Sequence, residues 1–218
     1  MAFRRYHSAY VFCAAALALA TSALPAYAHH AMGGVLPQTF GQGLLSGIGH
    51  PLIGVDHFAF VVAAGITAAV AGRLWALALA FVVGTFAGCL VHLAGVTLPV
   101  AEIVIAGTVL LIGGILVSNR DFATLVLAAL FVVAGLFHGW AYGESIFGAE
   151  QTPLIAYLAG FSIVQFAVAG IAGLIGKRLI LGDAVSRVNA RLAGAVVAGI
   201  GLALFIGHLE GMVFPGAQ

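Results

Sequence analysis

The run PLIAYLAGFSIVQFAVAGIAGLIG, Pro153 to Gly176, holds 24 residues without a charged side chain, and Lys177-Arg178 follows it directly. About 20 mostly apolar residues suffice to cross the hydrocarbon core of a bilayer as a helix. Only a helix satisfies its own backbone there, because lipid offers no hydrogen bonds and an open strand would leave its edges bare. Five further runs read the same way: Pro51–Ala71, Leu74–Ala94, Leu98–Val117, Phe122–Ala141 and Leu192–Met212. The expected fold is therefore all-α, a polytopic integral membrane helix bundle with six transmembrane helices. Val35–Ile48 is a shorter apolar lead-in, read as interfacial or re-entrant. Pro51 suits a first helical position, where its missing N–H costs nothing, and this sets His50 near the N-cap of the first span.

The whole chain agrees with that solvent. Of 218 residues 63% are hydrophobic, and the mean hydropathy is +1.17. With 8 Lys+Arg against 7 Asp+Glu there is no basic field for nucleic acid and no acidic tail. Cys13 and Cys89 lie in separate apolar runs, which offers no disulfide framework. Residues 1–28 read as a secretory signal: Arg4 and Arg5 form the charged end, AYVFCAAALALA the apolar stretch and Ala26-Tyr27-Ala28 the cleavage site. Cleavage after Ala28 leaves residues 29–218 as one membrane domain that begins His29-His30.

Secretion puts the new N-terminus outside and makes the connections after spans one, three and five cytoplasmic. Arg73, Arg120, Lys177, Arg178, Arg187 and Arg191 all fall on those connections, as the positive-inside rule asks. The C-terminus is then external too. Gly170, Gly173, Gly176, Gly194 and Gly199 are read as small residues at which helices approach closely.

Once oriented, the polar residues segregate. His57 lies roughly 9 Å below the outer boundary of span one. His92 closes span two, Glu102 opens span three, His138 falls in the last turns of span four, and His208 and Glu210 end span six. His29, His30, Glu144 and Glu150 are external. Every acid except Asp121 and Asp183 belongs to the outer half. A central carboxylate costs at least ~2.5 kcal/mol to insert, so such groups are usually paired, cavity-facing and functional. Imidazole and carboxylate with almost no thiol suit nickel, cobalt or zinc. His50, Asp56, His57 and His138 are the candidate metal ligands, with Glu102, Glu144 and His92 as secondary candidates; for the last group, solvated interfacial residues are the competing reading.

His50 and His57 are seven residues apart, so in a straight helix they share a face about 10 Å apart along it. Either the chain bends at Gly49-His50-Pro51 and folds His50 back, or the two mark successive stations. Asp56 is about 100° around the helix from His57 and serves as ligand or orienter, and His138 is the natural cross-helix partner. At the new N-terminus, the free amine beside His29 and His30 forms a further nitrogen-rich candidate for Ni²⁺.

Two motifs carry a resemblance. HPLIGVDH (His50–His57) is similar to the H-x5-D-H signature of the HupE/UreJ family of nickel/cobalt permeases. FHGWAYGE (Phe137–Glu144) resembles that family's second histidine motif, a form of F-H-G-x-A-H-G. The resemblance covers essentially the whole mature chain. It implies secondary uptake of Ni²⁺ or Co²⁺ from the periplasm across the bacterial inner membrane, often serving hydrogenase, urease or cobalamin, with no tightly bound cofactor. It carries over to His50, Asp56 and His57, and to His138 with Glu144. Tyr142 stands where the commoner pattern has a second histidine, and a neutral phenol is a poor ligand.

The chain has no G-x-x-x-x-G-K-[ST] loop for ATP. A membrane haem or electron-transfer protein with histidine axial ligands, an intramembrane metalloenzyme, and a metal-binding accessory or sensor protein stay open as alternatives.

Overall fold

The computed structural model describes residues 35–118, 120–180 and 184–214. The expected signal segment and the His29-His30 pair lie outside these residues. Seven helices and no strand occur among them: α1 (Phe40–Ile53), α2 (Val55–Val70), α3 (Leu74–Leu93), α4 (Ala101–Ser118), α5 (Thr124–Glu144), α6 (Gln151–Ile180) and α7 (Ala184–Val213). The all-helical membrane fold expected from the sequence is present. Helices α3 to α7 are each long and apolar enough to cross a bilayer, and α1 and α2, bent by 77° at their junction, make a sixth crossing when taken together. Their large apolar side chains point outward at positions such as Leu45, Leu79, Leu125, Ile163 and Ile171, as lipid-facing residues do.

The first span differs from expectation. Pro51 and His50 do not open it; both lie in the last turn of α1. A capping box at Thr39 starts that helix eleven residues earlier than His50: the Gln42 amide donates to Thr39 Oγ1 at 3.2 Å and the Thr39 amide to Gln42 Oε1 at 3.2 Å. Pro51 has no N–H to donate back to the Gly47 carbonyl, so it weakens the last turn of α1 just before the break. The break comes at Gly54, whose extended backbone (φ −67, ψ 111) separates the two helices.

Glycine contacts show how the bent pair crosses. Gly43 packs on the backbone of Pro153, Gly47 on that of Tyr157 and Gly65 on that of Ala169. The contact point advances along α6 in the same sense as the chain advances through α1 and α2, so the pair runs parallel to α6 as one broken crossing. A re-entrant loop would have turned back. By the same test α3 and α5 run parallel, with Gly84 at Val132 and Gly135, and Gly88 at Leu136. Helices α4 and α7 run antiparallel, with Gly113 at Ala198 and Gly201 at Leu110. Among the glycines expected to pack, Gly170, Gly173, Gly176 and Gly194 do so. Gly199 does not: a Cβ there would meet open space, because it lies on the outward side of α7.

The interior divides into two regions. A large apolar core, including Phe60, Phe81, Phe131, Val109 and Ile112, fills one part of the bundle. A smaller cluster of Cys89, Tyr142, Ile146, Tyr157 and Phe161 lies beside the α1–α2 junction.

Candidate metal site at the helix break

The break at Gly54 decides where His50 and His57 stand. It ends α1 just after His50 and starts α2 just before Asp56 and His57, so the two imidazoles face each other across the bend with ring centroids 5.5 Å apart. Only glycine fits the break. A Cβ at Gly54 would lie 2.7 Å from the His57 ring and 3.1 Å from Asp56 Oδ1. Asp56 folds over the first turn of α2, accepting the His57 amide on Oδ1 at 2.8 Å, with the same oxygen 4.0 Å from His57 Nε2. A carboxylate at a helix N-terminus is also favoured by the exposed amides there. The straight-helix separation expected from the sequence therefore does not apply, and the bend falls at Gly54 rather than at Gly49-His50-Pro51.

His138 of α5 completes the layer. Its Nδ1 is 2.7 Å from His57 Nδ1, and its Nε2 is 3.0 Å from Thr108 Oγ1 of α4. His50, His57 and His138 are all at most 2% exposed and Asp56 is 6% exposed. The sequence brought these four forward as candidates, and the fold gathers them in one buried layer. Among the described residues, however, no group of three or more His, Cys, Asp or Glu side chains is disposed to hold one ion.

Hydrogen-bond partners fix which ring nitrogens carry protons when the imidazoles are neutral. Thr108 donates its hydroxyl proton to the Ile105 carbonyl at 2.7 Å, so it presents a lone pair to His138, and His138 Nε2 carries hydrogen. His138 Nδ1 then accepts from His57 Nδ1–H, and the lone pair of His57 is on Nε2. The same logic holds for His50. Tyr157 donates to the Tyr142 carbonyl at 2.8 Å, so its oxygen accepts from His50 Nδ1 at 2.9 Å. Ser145 Oγ is 3.1 Å from that nitrogen. The lone pair of His50 is again on Nε2. Orienting bonds of this kind select the tautomer that a metal-binding histidine needs.

Aromatic rings bound the layer. The Tyr142 ring stands edge-on to both imidazoles, with centroids 4.7 Å from His50 and 4.6 Å from His57. Toward the N-terminal ends of α3 and α5, the Phe60 ring lies 4.7 Å from that of His138, 4.9 Å from Phe81 and 6.2 Å from Phe131. All three phenylalanines are at most 1% exposed.

The secondary candidates lie elsewhere. Glu102 and Glu144 line an open cavity of about 290 Å³ together with Trp140, His208 and Met212. There His208 Nε2 is 3.9 Å from Glu102 Oε2. His92 packs between Trp140 and Phe147, with ring centroids 4.6 and 5.7 Å away, and is not part of the buried layer. Thr108, Ser145 and Tyr157 were not legible as site residues. A lone hydroxyl in an apolar run usually bonds its own helix backbone, and nothing in the spacing marks one that also reaches a histidine.

The chain matches the HupE / UreJ protein family over residues 17–204. It is 32% identical to Protein HupE of Rhizobium leguminosarum bv. viciae over 191 residues, which is 87% of this chain and 95% of that protein. No solved structure matches it significantly. The buried histidine–aspartate layer thus belongs to a multi-pass membrane protein of the HupE/UreJ family.

Proposed function

We propose that the protein is a secondary permease that takes up Ni²⁺ or Co²⁺ from the periplasm, and that the ion passes through the layer at the helix break. The observation that carries this reading is the 5.5 Å separation of the His50 and His57 rings. A metal–nitrogen bond of about 2.1 Å allows two ring centroids on one ion to lie up to about 6.4 Å apart. The spacing is therefore within the reach of one shared cation, whose ligands in this reading are the two Nε2 atoms. His138, with both nitrogens engaged, holds His57 in register, and Tyr157 does the same for His50. Asp56 supplies the negative charge that offsets the cost of bringing a dication into a buried layer. Two imidazoles bind more weakly than a closed four-ligand cage, which suits an ion that must leave again.

Glu102 and Glu144 give the outer cavity an anionic character that concentrates cations near the mouth. Glu144 is the immediate neighbour of Ser145, which touches His50. Phe60, Phe81 and Phe131 close the opposite side of the layer. In this arrangement the path is shut toward the cytoplasm. The reading sets the protein in the bacterial inner membrane with both termini of the mature chain in the periplasm and a cleaved leader, and makes the His29-His30 amine a further metal ligand set.

The haem alternative asks for two imidazoles on opposite faces of a porphyrin. His57 and His138 instead meet nitrogen to nitrogen at 2.7 Å. The deciding experiment is uptake of ⁶³Ni²⁺ and ⁵⁷Co²⁺ into proteoliposomes, each challenged with the other cation. Saturable uptake that His57→Ala abolishes at normal protein level is the expected result; wild-type flux in that variant means the polar layer is structural.

A further inference from the structure

Three rings share the layer at the helix break. The His50 and His57 centroids are 5.5 Å apart, and the Tyr142 ring meets both edge-on at 4.7 and 4.6 Å. Tyr142 is 0% exposed, and its hydroxyl has no hydrogen-bond partner among the described residues. The neighbouring tyrosine behaves otherwise. Tyr157 is equally buried, yet its hydroxyl is used twice, donating to the Tyr142 carbonyl at 2.8 Å and accepting from His50 Nδ1 at 2.9 Å. The backbone that carries the Tyr142 ring is also held in place. Its carbonyl is taken by Tyr157, and the next residue, Gly143, packs directly on the His92 side chain of α3.

A buried hydroxyl with nothing to bond loses its hydration and gains nothing in return. Phenylalanine would keep both imidazole contacts, and the contact with Phe161 at 5.4 Å, without that penalty. An unmet polar group of this kind is accounted for by a polar ligand that visits it. The ligand set of the layer argues which one. Among the described residues no group of three or more His, Cys, Asp or Glu side chains is disposed to hold one ion, so a cation shared by His50 and His57 leaves the rest of its coordination shell to water. Metal-bound water is a strong donor, because the charge of the ion polarises its O–H bonds. Inside an apolar layer its protons need an acceptor. A neutral phenol is a poor metal ligand, but its oxygen has lone pairs that serve this purpose.

We propose that Tyr142 positions the hydration water of the ion: its hydroxyl oxygen accepts a hydrogen bond from a water molecule that stays on the cation while His50 and His57 hold the metal. The ligand of the layer is therefore a divalent cation that keeps part of its hydration shell, not a bare ion. Tyr142 acts on the ion only through that water. Two imidazoles with retained water also suit transit, since the ion has few protein bonds to break when it leaves. This inference rests on the shared cation of the permease reading above and adds the form in which that cation is bound.

The test uses the full chain in detergent with Co²⁺ as the probe, read by its visible spectrum and by electron–nuclear double resonance of protons that exchange in D₂O. Tyr142→Phe is expected to melt no lower than wild type, since it removes an unmet hydroxyl, yet to bind Co²⁺ about fivefold more weakly and with shifted visible bands. Wild-type affinity and spectrum in Tyr142→Phe overturn the proposal. Wild type itself guards against a variant that fails to fold: exchangeable protons of a metal-bound water should appear in its Co²⁺ complex, and their absence overturns the proposal. His57→Ala separates the two readings. Co²⁺ binding lost in His57→Ala but unmoved in Tyr142→Phe sinks this inference alone, whereas binding that is absent in wild type or survives His57→Ala sinks the shared cation and this inference with it.

Discussion

His50 and His57 face each other with ring centroids 5.5 Å apart although seven residues separate them, because the helix that would have held them about 10 Å apart ends between them at Gly54. The site is thus a property of a helix break. A Cβ on Gly54 would press on the His57 ring and on Asp56 Oδ1, the two groups the break brings together.

Gly54→Ala should therefore disable transport without removing a single polar group. Overpacking of this kind costs about 1–3 kcal/mol, so the protein should still insert while its uptake falls at least tenfold. Uptake per membrane-inserted molecule is the measurement. Unchanged flux would show that the imidazoles need not hold this spacing.

Tyr142 offers a change in the opposite direction. Its ring touches both imidazoles at 4.6 and 4.7 Å, at the position where the common family pattern has histidine. Tyr142→His puts a third nitrogen donor beside His50 and His57. Co²⁺ or Ni²⁺ should bind roughly tenfold tighter or more, about 1.4 kcal/mol, with slower release and a lower maximal uptake rate. Equilibrium binding and flux measured together check this, and weaker binding in the variant would count against a metal between these rings.

Tyr157 is predicted to act through His50. Tyr157→Phe removes the hydroxyl that fixes the His50 tautomer and bonds the Tyr142 carbonyl, a loss of about 1–3 kcal/mol for a buried partner left unmet. Metal affinity should fall about tenfold while the packing of the ring is kept. A histidine NMR experiment adds a readout that general destabilisation would not move: His50 should lose its single Nδ1–H form.

The parallel course of α1–α2 and α6 makes a topological prediction. Both crossings start on one side, so Thr39 and Gln151 should be reached from the periplasm and Arg73 and Lys177 from the cytoplasm. Cysteine labelling in intact cells and inverted vesicles distinguishes the faces. Labelling of positions 39 and 73 from the same side would turn α1 and α2 back into a re-entrant loop.

At the N-terminus, inserting two alanines after Ala28 keeps both His29 and His30 but moves the amine away from them. If the amine is a ligand, uptake at limiting metal should fall sharply and recover at high metal. Unchanged uptake at low metal, with cleavage confirmed by mass spectrometry, would leave the two histidines as an ordinary solvated start.

The sequence by itself determined the solvent and the helical class, because uncharged runs as long as Pro153–Gly176 have one stable conformation in lipid. It also marked which ionisable groups to weigh as site candidates. An intramembrane carboxylate or imidazole stands out from an apolar background wherever it lies. Helix boundaries for α3 were legible almost to the residue, since Arg73 and the turn after His92 delimit it chemically. Tertiary structure decided the rest. Whether Pro51 starts a helix or ends one depends on the capping box upstream and on glycines that seat α1 against α6. The periodicity of a straight helix could not show that the His50 and His57 rings stand 5.5 Å apart. Thr108 and Tyr157 looked like single polar residues in apolar runs, because a hydroxyl takes its meaning from what faces it across the bundle. Which helix face opposes which is set by packing between residues about a hundred positions apart, and that information is not local.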